Sequence, residues 1–285
     1  MNYIHQLLRI SALAALTPVL LTATSARAQI LGSAGNYGAL GGSTVTNTGG
    51  TVITGGLGVS PGSAITGFAA VDGGPGLFTG TLDQGNATAA QAQADAAAAY
   101  VTLANLSFTT DLSGQDLGGM VLLPGVYYFD SAAQLTGLLT LDAQGDANAR
   151  FVFQIGSTLT TASSSQVSII NINTTEAGGP DSGLFWQVGS SATLGTDSQF
   201  AGNILALTSI TLDAGASIDH GRALAQNGAV TLDNNRIDAS DLDGGFGVIV
   251  TPIPEASTFG LAGAGMLLLI VWQRRHVACR RSSGM

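Results

Sequence analysis

Lysine is absent from this 285-residue chain, cysteine occurs once, and only 9% of the residues are charged. All nine cations are arginine, and six of them (Arg9, Arg27, Arg274, Arg275, Arg280 and Arg281) lie near the two ends. Between them only Arg150, Arg222 and Arg236 face seventeen acids running from Asp72 to Asp243, a formal charge of −14. Binding to phosphate needs clustered cations, so nucleic acid and anionic lipid are excluded as partners of this body. The lone Cys279 sits in the terminal tail, which leaves no disulfide framework and no cysteine metal site. With 40 glycines and 45% hydrophobic residues, the chain is no disordered polyelectrolyte either; a packed, turn-rich fold is expected.

The two ends read as addresses. Residues 1–28 open with Arg9, continue through an apolar run at Ile10–Leu21 and end with Ala26 and Ala28 flanking Arg27. That is the layout of a secretory signal peptide cleaved after Ala28. At the other end, Ile253-Pro254-Glu255-Ala256-Ser257 precedes the apolar stretch Thr258–Trp272 and then four arginines, a stop-transfer pattern with its basic side in the cytoplasm. Together these parts resemble the PEP-CTERM sorting tail of exopolysaccharide-making Gram-negative bacteria, with Ala256 where the motif has its second proline. The resemblance implies a transient membrane anchor at residues 258–272 and an exosortase that removes the tail. The product would then be exported to the cell surface or beyond; a permanently anchored product is the alternative. The expected organisation is a signal peptide (1–28), a body (29–240), a linker (241–252) and the sorting tail (253–285).

Within the body, short β-rich runs are broken every few residues by Gly, Ser and Asn, which excludes a helical bundle. A three-part unit recurs. Phe151–Ile155 precedes Ser157–Thr160, Phe185–Val188 precedes Ala192–Leu194, Asn203–Ala206 precedes Ser209–Leu212, and Arg222–Ala225 precedes Ala229–Leu232. A third run follows each pair: Gln166–Ile170, Ser198–Ala201, Ala216–Asp219 and Asn235–Ile237. Three strands per repeat make a triangular coil, and stacked coils pair equivalent strands along three flat walls about 4.7–4.9 Å apart. The first half adds Ser43–Thr46, Ala64–Thr66, Val126–Phe129 and Gln134–Thr136. Residues 86–106 break the pattern: Ala-rich, without Gly or Pro, and capped by Asn86, they predict a helix lying along one wall through Tyr100, Leu103 and Leu106. Pro61–Gly85 reads as the loop that carries the chain to it.

Aligning the second strand of each coil gives Thr44-Val45-Thr46, Ala64-Ile65-Thr66, Gln134-Leu135-Thr136, Thr158-Leu159-Thr160, Thr193-Leu194-Gly195, Ser209-Ile210-Thr211 and Ala229-Val230-Thr231. Side chains alternate faces, so the middle residue points inward and its neighbours form two outward columns. These hold Thr, Ser and Ala, with Gln134 and Gly195 as interruptions and no charge. The columns form a grid of roughly 6.8 by 4.8 Å, close to oxygen repeats on ice crystal planes. Threonine offers a methyl that orders water and a hydroxyl that anchors it, on a sheet with no loop left to order. The expected ice-binding residues are Thr44, Thr46, Thr66, Thr136, Thr158, Thr160, Thr193, Ser209, Thr211 and Thr231, and the expected partner is an ice surface.

Several motifs also resemble a known family. Leu31–Tyr37, Ser43–Gly49, Gly56–Gly62 and Ile65–Phe68 resemble the N-terminal signature of the microbial ice-binding β-solenoids, and Gly202–Ala206 with Arg222–Asp233 resemble the C-terminal one. The resemblance spans about residues 30–238. It implies a mostly β fold, a right-handed, discontinuous, three-faced β-solenoid with one long α-helix alongside, no cofactor and no enzymatic activity. It also implies an ice-binding site on one flat face.

Rival chemistries find little support. Sugar-cleaving β-helix enzymes need paired acids at a set separation or a positioned cation, whereas the acids here are scattered; His220 beside Asp219 and near Arg222 lacks a nucleophile. Asp238, Asp241 and Asp243 offer oxygen ligands to Ca²⁺ without EF-hand or nonapeptide spacing. The alternative of a different class is a structural or adhesive protein whose wall meets an exopolysaccharide matrix.

Overall fold

In a computed structural model, residues 30–146, 149–172 and 183–239 are described; the segments expected to be signal peptide, linker and sorting tail lie outside them. Successive strands turn through three walls, all parallel. Sheet A has nine strands, in the spatial order Leu82–Gln84, Gly56–Val59, Tyr37–Gly41, Ala223–Ala225, Asn203–Ala206, Leu184–Val188, Phe151–Ile155, Gly125–Phe129 and Thr110–Asp111. Sheet B has seven: Ala64–Thr66, Thr44–Asn47, Val230–Leu232, Ile210–Leu212, Ala192–Leu194, Leu159–Thr161 and Ala133–Leu135. Sheet C has eight, from Leu77–Phe78 and Val52–Thr54 through Arg236–Asp238, Ser217–Asp219, Gln199–Ala201, Gln166–Ile170 and Leu138–Asp142 to Val121–Leu122.

The stack is discontinuous. Coils from the start of the chain pair with the last coil, through Ala39↔Ala223, Val45↔Val230 and Arg236↔Val52. The chain therefore starts mid-stack, climbs to one end, and must cross to the other before it can build back to where it began. The helix Ala87–Ala104 makes that crossing. Its 18 residues span about 27 Å, and residues 105–109 complete the run along nine strands spaced about 4.8 Å apart. Asn86 caps it, its side chain accepting the Ala89 amide at 2.9 Å. At the far end Gln154 donates to the Leu103 and Leu106 carbonyls at 2.7 and 2.8 Å, pinning the last turn to sheet A.

Alanine serves the helix twice, by propensity and by size. Ala89, Ala92, Ala96, Ala99 and Leu103 form the buried stripe that lets the backbone approach sheet A. A secondary core lies between them, with Leu31, Tyr37, Leu40, Val152, Phe185, Leu205 and Leu224; Tyr100 and Leu106 are only half-buried at its rim. Sheet A is thus covered on both faces, which explains why its strands read as continuous apolar runs. The main core fills the prism, with Tyr127, Phe153 and Trp186 stacked in register at centroid separations of 5.3 and 4.0 Å.

Pro61–Gly85 is not a connecting loop. It holds three strands, Ala64–Thr66, Leu77–Phe78 and Leu82–Gln84, and the short helix Ala69–Asp72, so it is one more coil whose turns obscure the repeat. Turn chemistry elsewhere is regular: Ser164, Asp197, Gly215 and Asn234 each take a left-handed conformation between sheet B and sheet C.

Candidate functional site

Sheet B is the wall whose strands carry no charged residue, and its register decides which side chains share a row. Inward positions are apolar and buried: Val45, Ile65, Ala133, Leu135, Leu159, Ala192, Leu194, Ile210, Leu212, Val230 and Leu232. Between them one outward column runs in register through Gln134, Thr160, Thr193, Thr211, Thr231, Thr46 and Thr66. Six consecutive rungs are threonine. The column passes without a break over the seam where Thr231, near the end of the chain, meets Thr46 near its start. Among the described residues, none of these six hydroxyls has a protein hydrogen bond.

A second column, two residues earlier in each strand, follows from the ladder bonds Ala133 N→Thr158 O, Leu159 N→Ser191 O, Ala192 N→Ser209 O and Ile210 N→Ala229 O, and from the pair Thr44↔Ala64. It holds Ala132, Thr158, Ser191, Ser209, Ala229, Thr44 and Ala64. Its two serines are partly engaged: Ser191 Oγ accepts from the Ser209 amide, and Ser209 Oγ from the Ala229 amide, each at 3.3 Å. The free hydroxyls therefore concentrate in the first column.

Eight of the ten expected residues fall in the columns expected for them: Thr44, Thr46, Thr66, Thr158, Thr160, Ser209, Thr211 and Thr231. Two differ because the sequence alignment slips by one side-chain period in two coils. Thr193 stands in the first column beside Thr160 and Thr211 rather than in the second. Thr136 lies beyond the strand Ala133–Leu135; its amide donates to Asp116 Oδ1 at 2.9 Å, which draws it into a turn and off the grid. Gly195 is likewise a turn residue and does not interrupt the ladder. Ser191, which sequence reasoning missed, takes the place that the slip had given to Thr193. A slip of two residues preserves the inward–outward pattern, so alternation alone carries no signal that would expose it.

The wall has definite ends. Asp116 bridges to Gln134, and although burial pushes its carboxyl up, hydrogen bonds from Thr136 and Gly118 bring it below the ordinary value. A charge thus closes the column beyond the only long side chain in it. Along the edge shared with sheet A the coils meet at glycine: a Cβ on Gly42 would stand 2.2 Å from the Gln226 carbonyl oxygen, and one on Gly189 2.4 Å from that of Gly156. Only a bare backbone lets the rungs stack this closely.

The residues of the rival readings are engaged separately. Asp219 pairs with Arg236, Arg236 with Asp238 at 2.5 Å, and the Arg222 guanidinium is buried against Gly35 O and Asn203 Oδ1; His220 sits in a left-handed turn. Asp241 and Asp243 lie outside the described residues.

Comparisons point one way. A family model described as ice-binding-like matches residues 39–238. An ice-binding protein of Nostoc sp. (strain HG1) is 54% identical over 253 residues, covering 89% of this chain and 90% of that protein. The crystal structure of an ice-binding protein from the Antarctic ascomycete Antarctomyces psychrotrophicus is similar with a TM-score of 0.66 and 43% identity, covering 73% of this chain and 97% of that one. Another, from an Antarctic biological consortium, gives 0.67 and 43%, with coverage of 75% and 93%.

Proposed function

The chain belongs to the ice-binding-like family, and from that premise we propose that it binds ice through the outward columns of sheet B and slows ice growth or recrystallisation. The observation that carries the reading is the unbroken run of six unpartnered threonines across six rungs. On a parallel sheet these stand about 4.8 Å apart along the column, with the second column about 6.8 Å away along the strands. The methyl groups cover the wall with apolar surface while the hydroxyls hold water at fixed intervals. Because the backbone is locked into a ladder on either side, little conformational entropy is lost on adsorption.

Thr44, Thr46, Thr66, Thr158, Thr160, Thr193, Ser191, Ser209, Thr211 and Thr231 make up the site in this reading. Delivery completes it: residues 1–28 direct export, and the tail from Ile253 holds the protein in the membrane until an exosortase-type enzyme releases it. No cofactor or catalytic step is required. A matrix role among exopolysaccharide chains would call for exposed aromatic rings on the wall, and none of its columns supplies one.

Ice growth under a cold-stage microscope tests the reading. Purified protein should facet crystals and arrest coarsening, and Thr231→Tyr should abolish both, while Gln166→Tyr on sheet C should leave them unchanged. Equal activity in the two variants would move the site off sheet B.

A further inference from the structure

The two outward columns of sheet B are not equivalent. The first presents a threonine on each of six consecutive rungs, Thr160, Thr193, Thr211, Thr231, Thr46 and Thr66. The second offers a hydroxyl without a protein partner on two, Thr158 and Thr44, which stand four rungs apart. Elsewhere in it Ala132, Ala229 and Ala64 carry no hydroxyl, and the Oγ atoms of Ser191 and Ser209 are drawn onto backbone amides at 3.3 Å. Anchors therefore repeat regularly along the stack and not across it.

The corner between sheet B and sheet A repeats in the same direction. A ladder runs through it by Ser157 N→Ser131 O, Ser190 N→Ser157 O, Thr208 N→Ser190 O, Gly228 N→Thr208 O and Ser43 N→Gly228 O. Its side chains make a further hydroxyl row with one gap, at Gly228. Ser131, Thr208 and Ser43 are exposed, and among the described residues no hydroxyl of the row has a protein hydrogen bond. Both rows follow the stacking axis, so tilting the protein about that axis passes the contact from wall to corner without changing the direction in which anchors repeat.

A two-dimensional grid of anchors selects one crystal plane, whereas a row selects only a direction. The repeat of about 4.8 Å along a parallel sheet lies close to the shortest lattice repeat of hexagonal ice, which runs along its a axes. Resting on the ice-binding reading above, we infer that sheet B recognises a row of the crystal rather than a plane, and that Ala64 and Ala229 are the positions that leave plane selection open. Basal, primary prism and primary pyramidal faces each contain an a axis; secondary prism faces, which stand perpendicular to one, contain none. The protein therefore coats the first three and leaves the last bare. Specificity is a difference of affinities, and here it is set by what the second column lacks.

The test grows a single ice crystal as a hemisphere in a solution of the full chain, labelled with a maleimide dye on its one cysteine, Cys279. Fluorescence should form arms running from the basal pole to each primary prism pole. The arms should be about tenfold brighter than the secondary prism poles between them, the difference expected when two or more rungs lose contact. In the double variant Ala64→Thr/Ala229→Thr, Thr44 lies between the two substitutions and the second column is complete over three rungs; the arms should contract to isolated patches. Threonine is a good strand former at both surface positions, and a thermal melt in parallel checks that the variant folds. Isolated patches for the wild type, or an even coat that includes the secondary prism poles, overturn recognition by row and leave ice binding standing. Arms that persist unchanged in the folded double variant overturn the assignment of selectivity to Ala64 and Ala229. A folded wild type that leaves the hemisphere dark everywhere overturns the sheet B reading itself.

Discussion

Replacing Thr211 by tyrosine puts the reasoning about the wall under its sharpest strain. Thr211 is the fourth of seven rungs in its column, with Gln134, Thr160 and Thr193 on one side and Thr231, Thr46 and Thr66 on the other. A tyrosine ring there stands roughly 4 Å above the threonine methyls, more than a hydrogen-bond length of about 2.8 Å, so a flat lattice can no longer meet the rungs on the two sides together. The usable wall falls from six threonine rungs to three, Thr231, Thr46 and Thr66. At about 0.8 kcal/mol for each methyl-sized group removed from water, losing three rungs costs about 2.4 kcal/mol. That is roughly fiftyfold in the concentration needed for the same effect. Stability should hardly change, since tyrosine is as good a strand residue as threonine and Thr211, although half-buried between its neighbours, is an outward surface position, where substitutions stay within about 0.5 kcal/mol. Recrystallisation endpoints over a dilution series, with thermal melts in parallel, make the comparison. An endpoint within threefold of wild type, with the melt unchanged, would refute the argument.

The corrected register makes its own prediction: Gln134→Thr lengthens the column to seven threonines and should lower the recrystallisation endpoint severalfold, whereas Thr136→Tyr, in a turn, should leave it within twofold. Arg222→Met strips donors from Gly35 O, Asn203 Oδ1 and Ala239 O; at about 1–3 kcal/mol for each buried group left unpaired, calorimetry should show the melting temperature fall by roughly 10 °C. Stability should decline at both pH extremes. Ser33, with Gln91 assisting, holds the Asp95 carboxyl below its ordinary 3.8, so its contribution is complete above that value and is lost as pH falls below it through the lowered folded value. Burial, with the hydrogen bond to Asp83, raises the Tyr37 phenol above its ordinary 10.0, so its contribution is complete below pH 10 and is lost as pH climbs higher. A denaturant series across pH that is flat at either extreme would contradict the corresponding contact.

How much of this was legible follows from which interactions are local. The coil repeat was, because each strand must alternate inward Val, Ile or Leu with outward small residues, and each corner must turn: Phe151–Ile155 and Asn203–Ala206 carry that pattern in their own few residues. The helix was too, since an alanine run without Gly or Pro and with Asn86 at its head has one favourable conformation. The coil within 61–85 was not, because Gly73, Gly74, Gly76 and Gly80 and a four-residue helix interrupt its strands and leave too little periodicity to read. The slip at Thr136 and Thr193 has a different origin. Register is a relation between strands set by ladder hydrogen bonds and by turn length, and shifting a strand by two residues keeps every inward residue inward.

The sequence by itself determined that this chain builds a weakly charged, three-walled solenoid with threonine facing out along one wall, because alternation, propensity and composition act within a few residues. Only the tertiary structure decided that the threonines of the first coils continue the column of the last, that Ser191 belongs to the wall and Thr136 does not, and that Arg222 ties Gly35 to Ala239. Those are contacts between residues as far apart as 187 positions, formed when the helix returns the chain to the far end and the stack closes on itself, and no local pattern encodes where such strands will meet.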